Sequence, residues 1–138
     1  MAKTGELIVG MPVKLDFFGT ELHTQLDACT DEDLDDLDFG VIGFDRENIV
    51  RRYNSFESEM AGLSRERVID TPLFSGVAPC LNNFLVAQRF EDAAAGGSRL
   101  DDVIDYVFTL RMRPVRVKLR LLSEPTHEFH YVLVNRAL

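Results

Sequence analysis

Ile104-Asp-Tyr-Val-Phe-Thr-Leu-Arg-Met112 and Val115-Arg-Val-Lys-Leu-Arg-Leu121 alternate apolar and polar residues, the pattern of extended chain with one buried face. In the first run Ile104, Tyr106, Phe108, Leu110 and Met112 share a face, while Asp105, Thr109 and Arg111 point the other way. In the second, Val115, Val117, Leu119 and Leu121 alternate with Arg116, Lys118 and Arg120. After a turn around Ser123-Glu-Pro125 the alternation resumes at Phe129, Tyr131 and Leu133, so three antiparallel strands are expected to close the chain.

Upstream of these strands the period changes. Leu81 to Ala95 has helical composition, with Leu81, Phe84, Leu85 and Gln88 along one face, and Gly96-Gly97 stops it. Pro72 and Pro79 bound a connecting stretch before it. Short helices precede that: Asn54 can cap one through Met60, Gly62 can end it in the left-handed conformation, and Ser64 can cap the next through Ile69. Phe39 to Phe44 and Ile49 to Tyr53 read as a hairpin around Asp45-Arg-Glu-Asn48. The order strand, strand, helices, three strands predicts an α+β fold: one five-stranded antiparallel sheet with helices on one side, as in PAS domains.

Residues 1–38 are expected to form an N-terminal helical cap, and residues 39–138 one globular unit. The cap contains the acidic run Asp31-Glu-Asp-Leu-Asp-Asp-Leu-Asp38, where Thr30 and Asp33 form an N-cap pair for a short helix carrying Leu34 and Leu37. That helix face is read either as a solvated surface or as a partner surface.

A chain of 138 residues can bury one core without metal or disulfide support, and 46% hydrophobic with 28% charged residues excludes a disordered chain. A net charge of −8 disfavours nucleic acid, although Arg111, Arg113, Arg116, Lys118 and Arg120 form a local basic stripe. Cys29 and Cys80 have no paired Cys/His spacing, which argues against zinc or a disulfide framework and fits a reducing cytoplasm. No apolar run approaches membrane-spanning length, and no secretion signal is read at the N-terminus. His23, His127 and His130 show no ligand spacing and are read as surface or packing residues.

The sharpest local feature is Val77-Ala78-Pro79-Cys80 immediately before the long helical segment. Pro79 at a first helical turn would set the thiol beside unpaired backbone N–H groups, a position that lowers a thiol pKa. From sequence chemistry alone a lone cysteine there is read as a small buried hydrophobe. Glu57, three residues after Asn54, reads as the returning half of a capping box, and Tyr53 as a core aromatic at a strand end.

Taken together, Tyr53-Asn54-x-x-Glu57, Gly62 and Val77-Ala78-Pro79-Cys80 resemble the chromophore-site pattern of the photoactive yellow protein family, and the spacing from the tyrosine to the cysteine matches without a gap. The likeness runs back through Leu37-Asp-Phe-Gly40 and forward through Phe108, Met112 and Pro114, over roughly residues 30–138. The resemblance implies a non-enzymatic blue-light receptor with p-coumaric acid (4-hydroxycinnamic acid) joined to Cys80 as a thioester and its phenolic end near Tyr53 and Glu57. Ala61, Leu63, Val77, Ala78, Pro79, Phe108 and Met112 would line the chromophore. A buried phenolate needs donors, and a tyrosine hydroxyl and a protonated carboxyl both donate. Glu57 is therefore expected to be neutral in the dark and to give its proton to the phenolate after photoisomerisation, leaving a buried charge to which the structure must respond.

Three positions depart from the family pattern. Ala61 replaces a hydroxyl residue, at a cost of about 0.5–1.5 kcal/mol in the polar network. Leu63 stands where an arginine often covers the pocket, and Leu81 where a small polar residue is common. Other readings stay open: a PAS interaction module without chromophore, acting through dimerisation or partner docking, or a PAS domain using Cys80 for haem or redox chemistry. The downstream signalling partner is not specified by the sequence.

Overall fold

Five strands form one antiparallel sheet in the order β2-β1-β5-β4-β3. The strands are β1 (Gly40–Phe44), β2 (Val50–Tyr53), β3 (Leu100–Phe108), β4 (Val115–Ser123) and β5 (His130–Asn135). The helices are α1 (Leu22–Ala28) and α2 (Asp31–Asp35) before the sheet, and α3 (Ser55–Ala61), α4 (Arg65–Val68) and α5 (Ala87–Gly96) between β2 and β3. A π-helical turn (Leu73–Val77) and a 3-10 turn (Pro79–Leu81) separate α4 from α5. This is a computed structural model, and it describes residues 15–109 and 114–136.

The period-two segments became strands because each has one face to bury. Alternation on β5 places Val132 and Val134 in a core with Ile42, Phe44, Leu119, Leu121 and Phe90, under the helices between β2 and β3. Tyr131 and Leu133 point to the opposite face, where they pack with Val41, Leu122, Phe39 and the cap residues Leu22, Leu26, Leu34 and Leu37. Both faces of the central strands are therefore covered. Leu110 and Met112, expected on β3, lie outside the described residues.

Local signals placed most boundaries. Thr30 accepts from the Asp33 amide at 3.1 Å and the Asp33 carboxylate accepts from the Thr30 amide at 3.0 Å, the reciprocal capping box expected for α2. Asn54 caps α3, and Gly62 ends it at φ 74°, a conformation that costs glycine nothing.

Two expectations need correction. The helix predicted from Leu81 begins at Ala87. The side chain of Asn83 accepts from the amides of Leu85 and Val86 at 2.9 and 3.3 Å, offering the backbone a turn in place of helical bonding. Arg120, expected on a polar face, is only 6% exposed. Its guanidinium donates to the carbonyls of Phe17 and Gly19 at 3.0 and 2.7 Å and to Asp101 at 2.9 and 3.0 Å.

Arg52 ties the cap down in the same way, donating to the carbonyls of Leu26 and Cys29 and to the Tyr131 hydroxyl. A buried guanidinium must find acceptors for its fork of donors, and the cap backbone supplies them. Two members of the basic stripe are engaged locally, since Lys118 pairs with Asp105 and Arg120 with Asp101. Among the described residues no helix is long and apolar enough to cross a membrane.

Candidate functional site

Tyr53 ends β2, and the next residue organises the region. Asn54 is 1% exposed. Its side-chain oxygen accepts from the amides of Val41 and Glu57 at 2.9 and 3.1 Å, and its NH2 donates to the carbonyls of Leu34 and Phe39 at 2.9 and 3.0 Å. One side chain thus joins β1, the cap and the first turn of α3, and aims Glu57 inward. The reading of Glu57 as a solvent-facing half of a capping box does not hold, because the carboxyl is 1% exposed and turned away from Asn54.

Glu57 meets Arg136, which follows β5. The guanidinium donates through Nη1 to Oε1 at 2.7 Å and through Nη2 to Oε2 at 3.0 Å, a bidentate fork. Arg136 also sits over the Phe108 ring, 5.6 Å from its centroid. Burial pushes the Glu57 carboxyl above the usual range, and the hydrogen bonds and charge of Arg136 oppose that rise without cancelling it. Tyr53, buried beside Glu57, is also pushed up, first by burial and then by the carboxylate charge, so its hydroxyl stays protonated and able to donate.

Gly40 makes room for this carboxyl. A Cβ there would overlap Glu57 Oε1 and lie 2.9 Å from its carboxyl carbon, so a side chain at position 40 requires the Glu57 carboxyl to move.

Cys80 sits in the middle of the 3-10 turn, half-buried, and packs against the core cluster that contains Tyr53, Val77, Ala78 and Phe108. Leu63 packs on the same cluster. Ala61 is buried at the end of α3, and Pro79 is exposed. Met112 lies outside the described residues. The backbone carbonyl of Cys80 accepts from the Tyr106 hydroxyl at 2.5 Å and from the Asn83 side chain at 3.1 Å, which pins the turn to β3.

The expected lowering of the Cys80 thiol is not found. The turn is too short to act as a helix start, and burial pushes the thiol up, against smaller lowering contributions from the backbone at Thr109 and at Cys80 itself. Arg136 was missed altogether by the sequence reading. Seventy-nine positions separate it from Glu57, and no local motif marks it.

A cavity of about 950 Å³ lies elsewhere, lined by Phe44, Phe74, Phe90, Asn83, Gln88 and His130 among others, and includes none of Tyr53, Glu57 or Cys80.

No family model matches the chain. It is 33% identical over 106 residues to the photoactive yellow protein of Rhodothalassium salexigens, covering 77% of this chain and 84% of the relative. It is 30% identical over 120 residues to that of Halochromatium salexigens, covering 87% and 95%. The crystal structure of the photoactive yellow protein domain from the sensor histidine kinase Ppr of Rhodospirillum centenum superposes with a TM-score of 0.74 at 34% identity, over 81% of this chain and 97% of that one. The PAS domain of the Cronobacter turicensis RpfR quorum-sensing receptor, at 16% identity and TM-score 0.57 over 73% of this chain and 95% of that one, shares the fold alone. With its sheet order, its helices and these relatives, the chain belongs to the photoactive yellow protein family and is a sensory domain on the PAS fold.

Proposed function

We propose that the chain is a blue-light receptor carrying p-coumaric acid as a thioester on Cys80, with Tyr53 and Glu57 at the phenolic end. The observation that supports this reading is the burial of Glu57 beside Tyr53, with Tyr53 in the same core cluster that Cys80 packs against. The donor set fits a buried phenolate. When bound, the group supplies a light-isomerisable double bond and a phenolic oxygen. Tyr53 would donate to that oxygen, Glu57 would hold a proton for it, and the half-buried Cys80 thiol would take the acyl group from an activated p-coumarate, its proton leaving with the activating group. The domain catalyses no turnover in this reading.

Arg136 adds a part that the resemblance did not supply. Leu63 carries no charge, and the guanidinium beside Glu57 comes instead from the end of β5. Arg136 favours the ionised form of Glu57, so it lowers the cost of the carboxylate left once the proton has moved. The output is a structural change passed to a signalling partner, in line with the kinase-borne relative, whether as a separate protein or as a domain of a longer one.

The test is co-expression with an activated p-coumarate source, followed by intact mass and visible absorption of the wild type and Cys80→Ala. A coumaryl mass increment and a bleachable visible band, both lost in Cys80→Ala, are expected. Colourless protein of unmodified mass sinks the reading.

A second reading, a PAS module binding a non-covalent small molecule, is favoured by one observation. The Nδ1 atom of His130, at the wall of the 950 Å³ cavity, is buried and has no hydrogen-bond partner among the described residues. Retention of an organic molecule by chromophore-free protein, seen by native mass spectrometry and lost in His130→Phe, would support it.

A further inference from the structure

His23 and Asp27 stand one helical turn apart on α1, and His127 reaches them from the turn between β4 and β5. One potential donor atom from each side chain lies within 4.8 Å of the other two. The two imidazoles stack with centroids 3.9 Å apart and planes 28° apart. This cluster lies on the cap face of the sheet, opposite the core that contains Tyr53 and Phe108, and the proposed light reaction makes no use of it.

The surrounding bonds orient the donors. His23 Nε2 is 2.8 Å from the Phe129 carbonyl, so this nitrogen carries the proton and Nδ1 the lone pair. Asp27 Oδ1 accepts from the Tyr131 hydroxyl at 2.8 Å, and that hydroxyl accepts from Arg52 at 2.9 Å. Asp27 Oδ2 is left facing His127 Nδ1 at 2.5 Å. Imidazoles that donate to a backbone carbonyl, and carboxylates steered by a second hydrogen bond, are the usual outer support of metal ligands.

Charge asks for a cation in the same place. Glu124 Oε2 lies 3.3 Å from His127 Nε2, so His127 sits between two carboxylates, with Arg99 sharing Glu124. Either a proton on His127 or a metal ion beside it answers that need.

We propose that His23, Asp27 and His127 form a binding site for a divalent transition-metal ion of the zinc class, which fastens α1 of the N-terminal cap to the β4–β5 turn. Two imidazole nitrogens and one carboxylate oxygen suit zinc, copper or nickel in preference to magnesium or calcium. Three protein ligands leave a position for water or for Glu124.

The test is calorimetric titration of tag-free protein with zinc chloride, with copper(II) as a spectroscopic probe. Saturable binding of one zinc per chain is expected, together with paramagnetic resonance hyperfine structure from two nitrogens on copper and a raised melting temperature. His127→Gln should weaken zinc binding by at least about tenfold, as should His23→Gln, while Cys29→Ser leaves it unchanged. Should either histidine variant fail to fold, imidazole nitrogen resonances of His23 and His127 in the wild type decide, since both must shift on saturation with zinc. Absence of saturable binding, binding that survives loss of both histidines, or imidazole resonances that do not move would overturn the site and leave a His127–Asp27 ion pair.

Discussion

Arg136 grips Glu57 through two parallel hydrogen bonds of 2.7 and 3.0 Å in a setting where the carboxyl is almost wholly buried. The pair joins the end of the last strand to the first turn of α3. Burial raises the pKa of this residue at the centre of the proposed photochemistry, and the hydrogen bonds and charge of Arg136 oppose that rise.

Glu57 has a raised pKa in the folded chain, so folding takes up a proton that the unfolded chain releases above the usual carboxylate range. The stability held by the protonated form is therefore complete below that range and falls as pH rises through the native value. Arg136→Gln removes the influences that lower the pKa and widens the window. The variant should lose about 1–3 kcal/mol more stability near pH 8 than near pH 5, read by urea denaturation. Equal losses at the two pH values would mean that Arg136 acts through packing on Phe108 and not through Glu57.

Gly40→Ala puts a methyl group into the space of the Glu57 carboxyl. Overpacking of this kind costs about 1–3 kcal/mol, and here it also breaks the fork to Arg136. The expected result is a lower denaturation midpoint together with a displaced visible band in pigmented protein. A band and midpoint like those of the wild type would show that Glu57 has another place to sit.

Asn54→Ala deletes four hydrogen bonds around a buried side chain and leaves the amides of Val41 and Glu57 and the carbonyls of Leu34 and Phe39 without their partner. A loss of about 3 kcal/mol or more is expected from denaturant unfolding. Asn54→Asp, which keeps the acceptor but turns a second carboxylate oxygen toward the carbonyls of Leu34 and Phe39, should cost at least as much.

The Cys80 thiol is pushed up by burial, so its thiolate is scarcer near neutral pH than that of an unperturbed cysteine. Acylation by an activated p-coumarate in vitro should therefore speed up as pH is raised past the ordinary cysteine range. A rate that levels off below that range, followed by mass spectrometry, would contradict the raised thiol.

Arg120→Met should loosen the cap more than the sheet, because the donations to the Phe17 and Gly19 carbonyls tie the cap down, whereas those to the Asp101 side chain add to a β3–β4 pair already held by its backbone ladder. Amide exchange is expected to rise in residues 15–29 while β4 and β5 keep their protection. Uniform loss of protection would mean that the cap and the sheet unfold as one.

The sequence by itself determined what depends on near neighbours. The alternation at Val117, Leu119 and Leu121, the Thr30–Asp33 capping box and the left-handed stop at Gly62 all arise within a few residues, so they were legible. The resemblance carried by Tyr53, Glu57 and Cys80 likewise led to the family. Where a competing local bond was overlooked, as with Asn83 at the start of α5, the boundary moved.

Only the tertiary structure decided the partners of the buried charges. Arg120 read as a residue of a polar face until the cap backbone covered it, and no local pattern marked Arg52 as buried. Arg136 reaches Glu57 because the antiparallel register sets Gly40 opposite Val134 and carries the end of β5 over α3. Guanidinium and carboxylate attract without regard to sequence spacing. Which pair forms is fixed by strand register and by burial, and a burial that leaves one charge alone is too costly to persist.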